Sequence, residues 1–166
     1  MKKIERILIK FILSLVVHIA YRVKIAGREN VPEKGGAILC GNHIHALDPV
    51  VIVLLSKRQV FGLAKEELYR FWIIRWLANI FGMYPVKRDG SDISAVKISL
   101  KILKENGLLL IAPEGTRNGM AKGLKPRNGP VNIAVKSGVP IVPIGITGSF
   151  KVFSRITYNY RQADIL

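Results

Sequence analysis

The chain has 166 residues, enough for one domain with a sizeable core, and its single cysteine excludes an intramolecular disulfide. Its 26 Lys and Arg residues outnumber 11 Asp and Glu residues, and the resulting net charge of +15 predicts attraction to nucleic acid, anionic lipid headgroups or phosphorylated substrates. The mean hydropathy of +0.27 is high for a freely soluble protein and indicates a membrane or an apolar ligand as a partner.

The first twenty residues predict one helix with a polar stripe along an apolar surface. The polar positions recur at steps of three and four residues: Lys3, Arg6, Lys10, Ser14 and His18. The apolar stretch is shorter than the roughly 20 residues that a spanning helix needs. No cleavage site of a secretory signal peptide follows it. We therefore expect residues 1–22 to form an amphipathic helix on an anionic membrane surface, and the alternative is a terminal helix packed on the core.

Short apolar runs alternate with helical patterns in the rest of the chain, residues 23–166, which we expect to form one domain. Strands are predicted at residues 37–41, 60–64, 83–86, 107–112 and 139–146, with an edge strand at 155–160. Helices are predicted at residues 48–57, 66–81, 92–105 and 131–136. This alternation is typical of an α/β domain, in which helices flank a largely parallel or mixed β-sheet.

Residues 41–49 (GNHIHALDP) predict a loop between a strand and a helix that carries a general base. His43 follows the first predicted strand, at the edge where α/β proteins bind their ligands. Asp48 before Pro49 is typical of a helix start, with Asp48 as N-cap. A carboxylate on one imidazole nitrogen supports the charge that forms when the other nitrogen takes a proton. A His43–Asp48 pair could thus activate an alcohol, and the alternative is that Asp48 only caps the helix.

Residues 113–117 (PEGTR) follow the strand predicted at 107–112, so they are expected at the same sheet edge as His43. Arg117 offers a rigid fork of donors to a phosphate, and Gly115 allows close approach of the backbone. Glu114 is expected to orient Arg117 or to hold a substrate hydroxyl. Residues 115–163 contain eight Lys and Arg residues and no Asp or Glu. This region either faces an anionic partner or is a solvated basic loop.

Together these segments resemble the motifs of the 1-acylglycerol-3-phosphate acyltransferases, which are also called lysophosphatidic acid acyltransferases. Residues 42–48 look like the first motif of that family, a His and an Asp with four residues between them. Residues 82–88 (GMYPVKR) are similar to the second motif, 114–117 (EGTR) to the third and 139–143 (VPIVP) to the fourth. The four motifs stand in the family's order and cover most of the chain, although His45 replaces a frequent Ser in the first.

The resemblance implies transfer of a fatty acyl group from a thioester of coenzyme A or acyl carrier protein to the free sn-2 hydroxyl of lysophosphatidic acid. The product is phosphatidic acid, an intermediate of phospholipid biosynthesis. By the same resemblance, His43 removes the proton of the acceptor hydroxyl and Asp48 orients His43. Seven residues are then expected to bind substrate: Lys65, Lys87, Arg88, Glu114, Gly115, Thr116 and Arg117. Neither a metal nor a cofactor besides the acyl donor is expected.

Other functions stay open at this point. Cys40 with a histidine would make a nucleophilic pair, although free cysteines in buried strands are commonly small core residues. The acceptor could be a different lysolipid, or the chain could be a non-catalytic basic protein that binds lipid or nucleic acid. No pattern of a helix-turn-helix, zinc finger or RNP-like strand supports nucleic acid, so we expect no such partner.

The helix predicted at 66–81 has two interpretations. Its Trp72 and Trp76 stand among arginines in an otherwise apolar segment. This pattern indicates either a helix that contacts a membrane or lines an acyl chain, or a core helix with snorkelling arginines. The basic N-terminal helix predicts a peripheral or monotopic protein on the cytoplasmic face of the cell membrane.

Overall fold

The computed structural model describes residues 3–45, 47–87, 93–117, 119–148 and 155–161. It contains seven strands: β1 (Arg22–Ala26), β2 (Ala37–Gly41), β3 (Val60–Lys65), β4 (Met83–Val86), β5 (Leu108–Ile111), β6 (Ile141–Thr147) and β7 (Arg155–Tyr160). They form one sheet in the order β1-β7-β6-β2-β5-β3-β4. Five of the six pairings are parallel, and β6 with β7 is antiparallel. The predicted α/β fold with a largely parallel sheet is therefore confirmed.

Helices cover both faces of this sheet: α1 (Lys3–Ala20), α2 (Asp48–Leu55), α3 (Trp72–Phe81), α4 (Ile93–Lys104) and α5 (Gly129–Ser137). Residues of α1, α2 and α3 share one apolar cluster with Leu39 and Leu108. Residues of α4 and α5 share a second cluster with Ile38 and Leu109. Because successive residues of a strand point to opposite faces, α1, α2 and α3 lie on one side of the sheet and α4 and α5 on the other.

Local sequence accounts for several of these boundaries. Pro49 and Pro130 stand in the first turns of α2 and α5, where a missing N–H costs no helical hydrogen bond. Gly82 and Gly138 end α3 and α5 with φ angles of 67° and 66°, a left-handed conformation that glycine adopts readily. Most elements accordingly lie where the sequence predicts them, with bounds that agree or differ by one or two residues.

The helix predicted at 66–81 is wrong in its first half. A 3-10 helix, Glu66–Arg70, comes first, and α3 begins only at Trp72. Between them Phe71 has an extended backbone, with φ −86° and ψ 119°, which interrupts the helical hydrogen bonds. The Arg70 guanidinium lies 4.6 Å from the centroid of the Phe71 ring, a cation–π contact.

The prediction that residues 155–160 form an edge strand is also wrong. β7 has the predicted bounds but lies between β1 and β6. The edge strand on this side of the sheet is β1, which the sequence patterns missed. Its five residues alternate between exposed and half-buried, a weak signal directly after a long helix.

α1 packs on the domain with one side and exposes apolar residues on the rest of its surface. Ile9, Leu13 and Val17 pack against the cluster of α2 and the sheet. The exposed apolar residues of α1 are Ile7, Leu8, Phe11, Ile12, Leu15, Val16 and Ile19. Among the residues described, none of the helices is long and apolar enough to cross a bilayer.

Candidate active site

Parallel strands bring the predicted site segments to one edge of the sheet. β2, β5, β3 and β4 run in the same direction, so their carboxyl ends meet there. His43 follows β2, Glu114 follows β5, Lys65 ends β3 and Lys87 follows β4. The expectation that the segments around His43 and Glu114 share an edge is therefore confirmed.

His43 and Asp48 lie side by side in the connection between β2 and α2. Nδ1 of His43 is 3.5 Å from Oδ2 of Asp48, within ion-pair range and slightly longer than a typical hydrogen bond. The His43 side chain is 18% exposed and that of Asp48 is 2% exposed. A partly accessible imidazole is thus backed by a buried carboxylate, an arrangement that can hold one tautomer and stabilise an imidazolium.

The prediction that Asp48 caps α2 is wrong, because the N-cap is Leu47 and no side chain caps the helix. Oδ2 of Asp48 instead accepts hydrogen bonds from the backbone N–H groups of Ile44 at 2.8 Å and His45 at 2.6 Å. The carboxylate therefore fastens the loop that carries His43. Its negative charge in the first turn of α2 is also favoured by the helix dipole.

Glu114 holds the same loop from the neighbouring strand. Its side chain is buried, and Oε1 accepts a hydrogen bond from the backbone N–H of His43 at 3.3 Å. A Cβ at Gly119 would lie 2.8 Å from Cβ of Glu114, so only glycine leaves room for this carboxylate. The sequence indicated Glu114 as a residue that orients Arg117 or holds a substrate hydroxyl, and its contact with the backbone of His43 is an addition that the sequence did not predict.

Asn42 extends β2 with its side chain. Nδ2 donates to the carbonyl of Ile146 at 2.9 Å, and Oδ1 accepts from the N–H of Ile146 at 2.7 Å. The amide thus takes the place of a backbone partner and fixes the start of the loop on β6. The sequence singled out Asn42 only as the neighbour of His43, because nothing local indicates a partner so far along the chain.

The cationic residues predicted to bind substrate lie around this edge. Lys65, Lys87 and Arg117 are exposed, and Thr116 is half-buried. Lys87 also lines an open depression of about 340 Å³ beside the end of β4. Arg88 lies outside the described residues. The edge therefore combines a histidine–aspartate pair with exposed cations, as binding of an anionic substrate requires.

Arg127 is a further cation at the third motif. A Cβ at Gly115 would lie 3.1 Å from Nε and 3.3 Å from Cζ of Arg127, so the guanidinium rests against the glycine. The backbone N–H of Arg127 donates to the carbonyl of Pro113 at 2.8 Å. Gly115 has a φ angle of 66°, so both its conformation and its neighbour favour glycine. The sequence indicated Arg127 only through the basic character of its loop.

Tyr158 and Cys40 have raised pKa values, and Tyr158 is buried near Asp48. The Tyr158 hydroxyl has no hydrogen-bond partner within the described part of the chain. Burial, followed by the negative charge of Asp48, raises the pKa of Tyr158 above its usual range. Burial likewise raises the pKa of the Cys40 thiol, which opposes formation of the thiolate that a nucleophilic cysteine needs. Among the described residues, no three or more His, Cys, Asp and Glu side chains are grouped to hold a metal ion.

Comparisons with known proteins agree on one family. The family model described as Acyltransferase matches residues 22–147. The chloroplastic 1-acyl-sn-glycerol-3-phosphate acyltransferase of Arabidopsis thaliana is 29% identical over 154 residues, which cover 91% of this chain and 43% of that protein. The 1-acyl-sn-glycerol-3-phosphate acyltransferase of Bacillus subtilis is 31% identical over 138 residues, which cover 82% of this chain and 68% of that protein.

A solved structure has the same fold. The 1-acyl-sn-glycerophosphate (LPA) acyltransferase PlsC from Thermotoga maritima superposes with a TM-score of 0.71 at 24% identity. The superposition covers 88% of this chain and 62% of that one. The chain spans about half the length of several curated relatives that it matches, 43% and 56% in two of them.

Proposed function

This chain belongs to the acyltransferase family, and on that premise we propose that it transfers a fatty acyl group from a thioester to the sn-2 hydroxyl of lysophosphatidic acid. The product is phosphatidic acid, for phospholipid biosynthesis. The observation that carries the proposal is the His43–Asp48 pair, with Nδ1 and Oδ2 3.5 Å apart, at the carboxyl edge of the sheet where exposed cations also lie. The choice of acceptor is supported by the names of the relatives.

The geometry suits general-base catalysis by His43. Because Nδ1 faces Asp48, Nε2 is the ring nitrogen that takes the proton of the acceptor hydroxyl. The hydroxyl oxygen attacks the thioester carbonyl as the proton moves, and Asp48 stabilises the imidazolium. When the C–S bond breaks, the imidazolium returns the proton to the leaving thiolate. No acyl-enzyme is needed because the thioester is already activated.

Cationic side chains bind the acceptor phosphate in this proposal. Arg117 is the principal ligand because its guanidinium can hold two phosphate oxygens at once. Lys65, Lys87 and Arg88 add positive charge, and Gly115 and Thr116 shape the loop that carries Arg117. Glu114 acts through the backbone of His43. The acyl donor, coenzyme A or acyl carrier protein, is the co-substrate, and the proposal includes no metal.

The proposed place of action is the cytoplasmic face of the cell membrane, where the protein is peripheral or monotopic. Residues 1–22 would form an amphipathic membrane-associating helix, and residues 23–166 the acyltransferase domain. The exposed apolar residues of α1, such as Phe11 and Ile19, support this arrangement. So does the net charge of +15, which anionic headgroups attract.

Acyl transfer by protein bound to phospholipid vesicles tests the proposal. We expect wild-type protein to form phosphatidic acid from lysophosphatidic acid and an acyl thioester. His43→Ala should lower kcat about 10²–10⁴-fold, because the general base is lost. Circular dichroism and the melting temperature control for folding of the variant. Equal activity of the two proteins would refute the role of His43.

Other acceptors are tested in the same assay. If wild-type protein does not acylate lysophosphatidic acid with either donor but acylates another lysolipid, the proposed acceptor is wrong. General-base acyl transfer by His43 would still be the proposed reaction. If no lysolipid is acylated with either donor, the proposed acyl transfer is wrong for this chain.

A further inference from the structure

α3 exposes a contiguous aromatic surface. Trp72 is 71% exposed and Trp76 is 47% exposed, although the same helix buries Ile80 completely against the sheet. With their exposed neighbours these residues define the aromatic patch: Leu68, Phe71, Trp72, Ile73 and Trp76. Single exposed apolar side chains are ordinary, whereas a contiguous cluster usually marks a contact surface. The core-helix interpretation of this segment therefore fails for the first turns of α3.

The aromatic patch begins at the edge of the sheet that carries His43. β3 reaches this edge at Lys65, and the 3-10 helix Glu66–Arg70 follows directly. The Tyr69 hydroxyl donates to the backbone carbonyl of Met83 at 2.7 Å, which fastens the 3-10 helix to β4. β4 is parallel to β3 and therefore starts at the amino ends of the strands, so α3 runs back along the sheet from the active-site edge. Trp72 therefore stands at the end of α3 that is nearer the active-site edge.

α3 lies on the same side of the sheet as α1. Both contribute to the apolar cluster around α2, whereas α4 and α5 cover the other side. α1 contacts α2 and β1, and α3 contacts β4, which is the opposite edge strand. On this side of the sheet, exposed apolar residues therefore lie near both outer strands, those of α1 near β1 and those of α3 near β4. A broad, continuous partner can contact both regions at once.

The side chains in and beside the aromatic patch indicate the chemistry of that partner. Arg70 stacks on Phe71, and Arg75 is exposed next to Trp76. Glu66 and Glu67 are the acidic residues of the adjacent 3-10 helix. Tryptophan prefers the boundary between headgroups and acyl chains, and arginine extends to lipid phosphates. The two Glu residues balance the two Arg residues here, so the tryptophans indicate a bilayer interface, and the net charge of +15 on the whole chain favours an anionic one.

We infer that the aromatic patch is a second membrane-contact surface, which inserts Trp72 and Trp76 into the interface of an anionic phospholipid bilayer alongside α1. The inference rests on the proposed function, since it explains how a lysolipid acceptor in the leaflet reaches the edge that carries His43. Two separated contacts fix the orientation of the domain on the membrane. A contact through α1 alone would allow the domain to rotate about that helix.

Tryptophan fluorescence tests the inference directly. The chain has two tryptophans, and both belong to the aromatic patch, so the emission of the full, unlabelled chain reports on this surface alone. We expect a blue shift on addition of phosphatidylglycerol–phosphatidylcholine vesicles, and quenching by lipids with brominated acyl chains. Trp72→Phe and Trp76→Phe each leave one reporter, and both should be quenched. High salt or omission of phosphatidylglycerol should weaken the effect.

Vesicle flotation measures the contribution of the aromatic patch to binding. The double variant Trp72→Ser, Trp76→Ser should bind about tenfold or more weakly, because two large apolar side chains no longer leave water. Val135→Ser is the matched control. Val135 is equally exposed, at 70%, but lies on α5, on the other side of the sheet. Its replacement should leave binding unchanged.

Three results would overturn the inference. The first is failure of the protein to bind vesicles. The second is binding without a blue shift or quenching, which would leave α1 as the contact. The third is a blue shift that depends on protein concentration without lipid, together with a dimer in size-exclusion chromatography, which would assign the patch to a second copy of the chain. None of these measurements requires turnover, so they fail independently of the proposed acyl transfer.

Discussion

Replacement of Asp48 by Asn would remove one buried charge while keeping the size of the side chain. Oδ2 of Asp48 accepts N–H groups of Ile44 and His45 and lies 3.5 Å from Nδ1 of His43. A hydrogen bond to a charged group contributes about 1.5–3 kcal/mol and a neutral one about 0.5–1.5 kcal/mol. Two weakened bonds therefore predict a loss of about 2 kcal/mol in unfolding free energy. Easier desolvation of the neutral amide offsets part of it.

The effect on catalysis should be larger than the effect on folding. Without the carboxylate the imidazolium of His43 is unsupported, so we expect kcat to fall about 10²–10⁴-fold in Asp48→Asn. Phosphatidic acid formation measures kcat, and urea denaturation measures stability. Glu105→Gln, which removes an exposed carboxylate after α4 at the opposite edge of the sheet, should change neither. A kcat within about threefold of wild type would refute the role of Asp48 in supporting His43.

Three further variants test other contacts. Gly119→Ala should lower the unfolding free energy by about 1–3 kcal/mol, because its Cβ would lie 2.8 Å from that of Glu114. Gly129→Ala, with no atom within 4 Å of its added Cβ, is the control in the same urea titration, and equal losses would contradict the steric argument. The Arg127 guanidinium lies against Gly115 of the third motif and can add a cation to the proposed phosphate site, so Arg127→Gln should raise the KM for the acceptor about tenfold with little change in kcat. An unchanged KM would show that Arg127 does not bind the acceptor phosphate. Cys40→Ser should leave kcat within about twofold, and a loss as large as that of the variant lacking the catalytic histidine would support a thiol nucleophile.

The fold was predictable wherever local chemistry marks the boundaries. β2 and β4 have their predicted bounds because each is a short run that begins or ends at a glycine, Gly41 or Gly82. The break at Phe71 has no such mark, since neither glycine nor proline stands there and every neighbouring residue fits a helix. β1 escaped prediction because its strand partner is β7, far along the chain. Tertiary pairing, not local propensity, makes this segment a strand.

In the candidate site, too, contacts within one loop were predictable and contacts between distant strands were not. The closeness of His43 and Asp48 follows from a spacing of five residues across one loop. The contact of Glu114 with the backbone of His43 depends on the pairing of β2 with β5, which the alternation of elements suggests but does not specify. Tyr158 comes from β7, and no motif connects it with Asp48. The sequence therefore identified site residues on several strands but not the contacts that they make between strands.

The position of β7 has a consequence for the order of events during synthesis. β1 pairs only with β7 among the described strands, and β7 follows every other described element in the chain. At about 5–20 residues per second, the ribosome needs on the order of 10 s between the two strands. During this interval α1 has left the ribosome while β1 still lacks its partner. If α1 binds the membrane during this interval, the nascent chain is held at the proposed membrane surface. Membrane binding would then precede completion of the sheet.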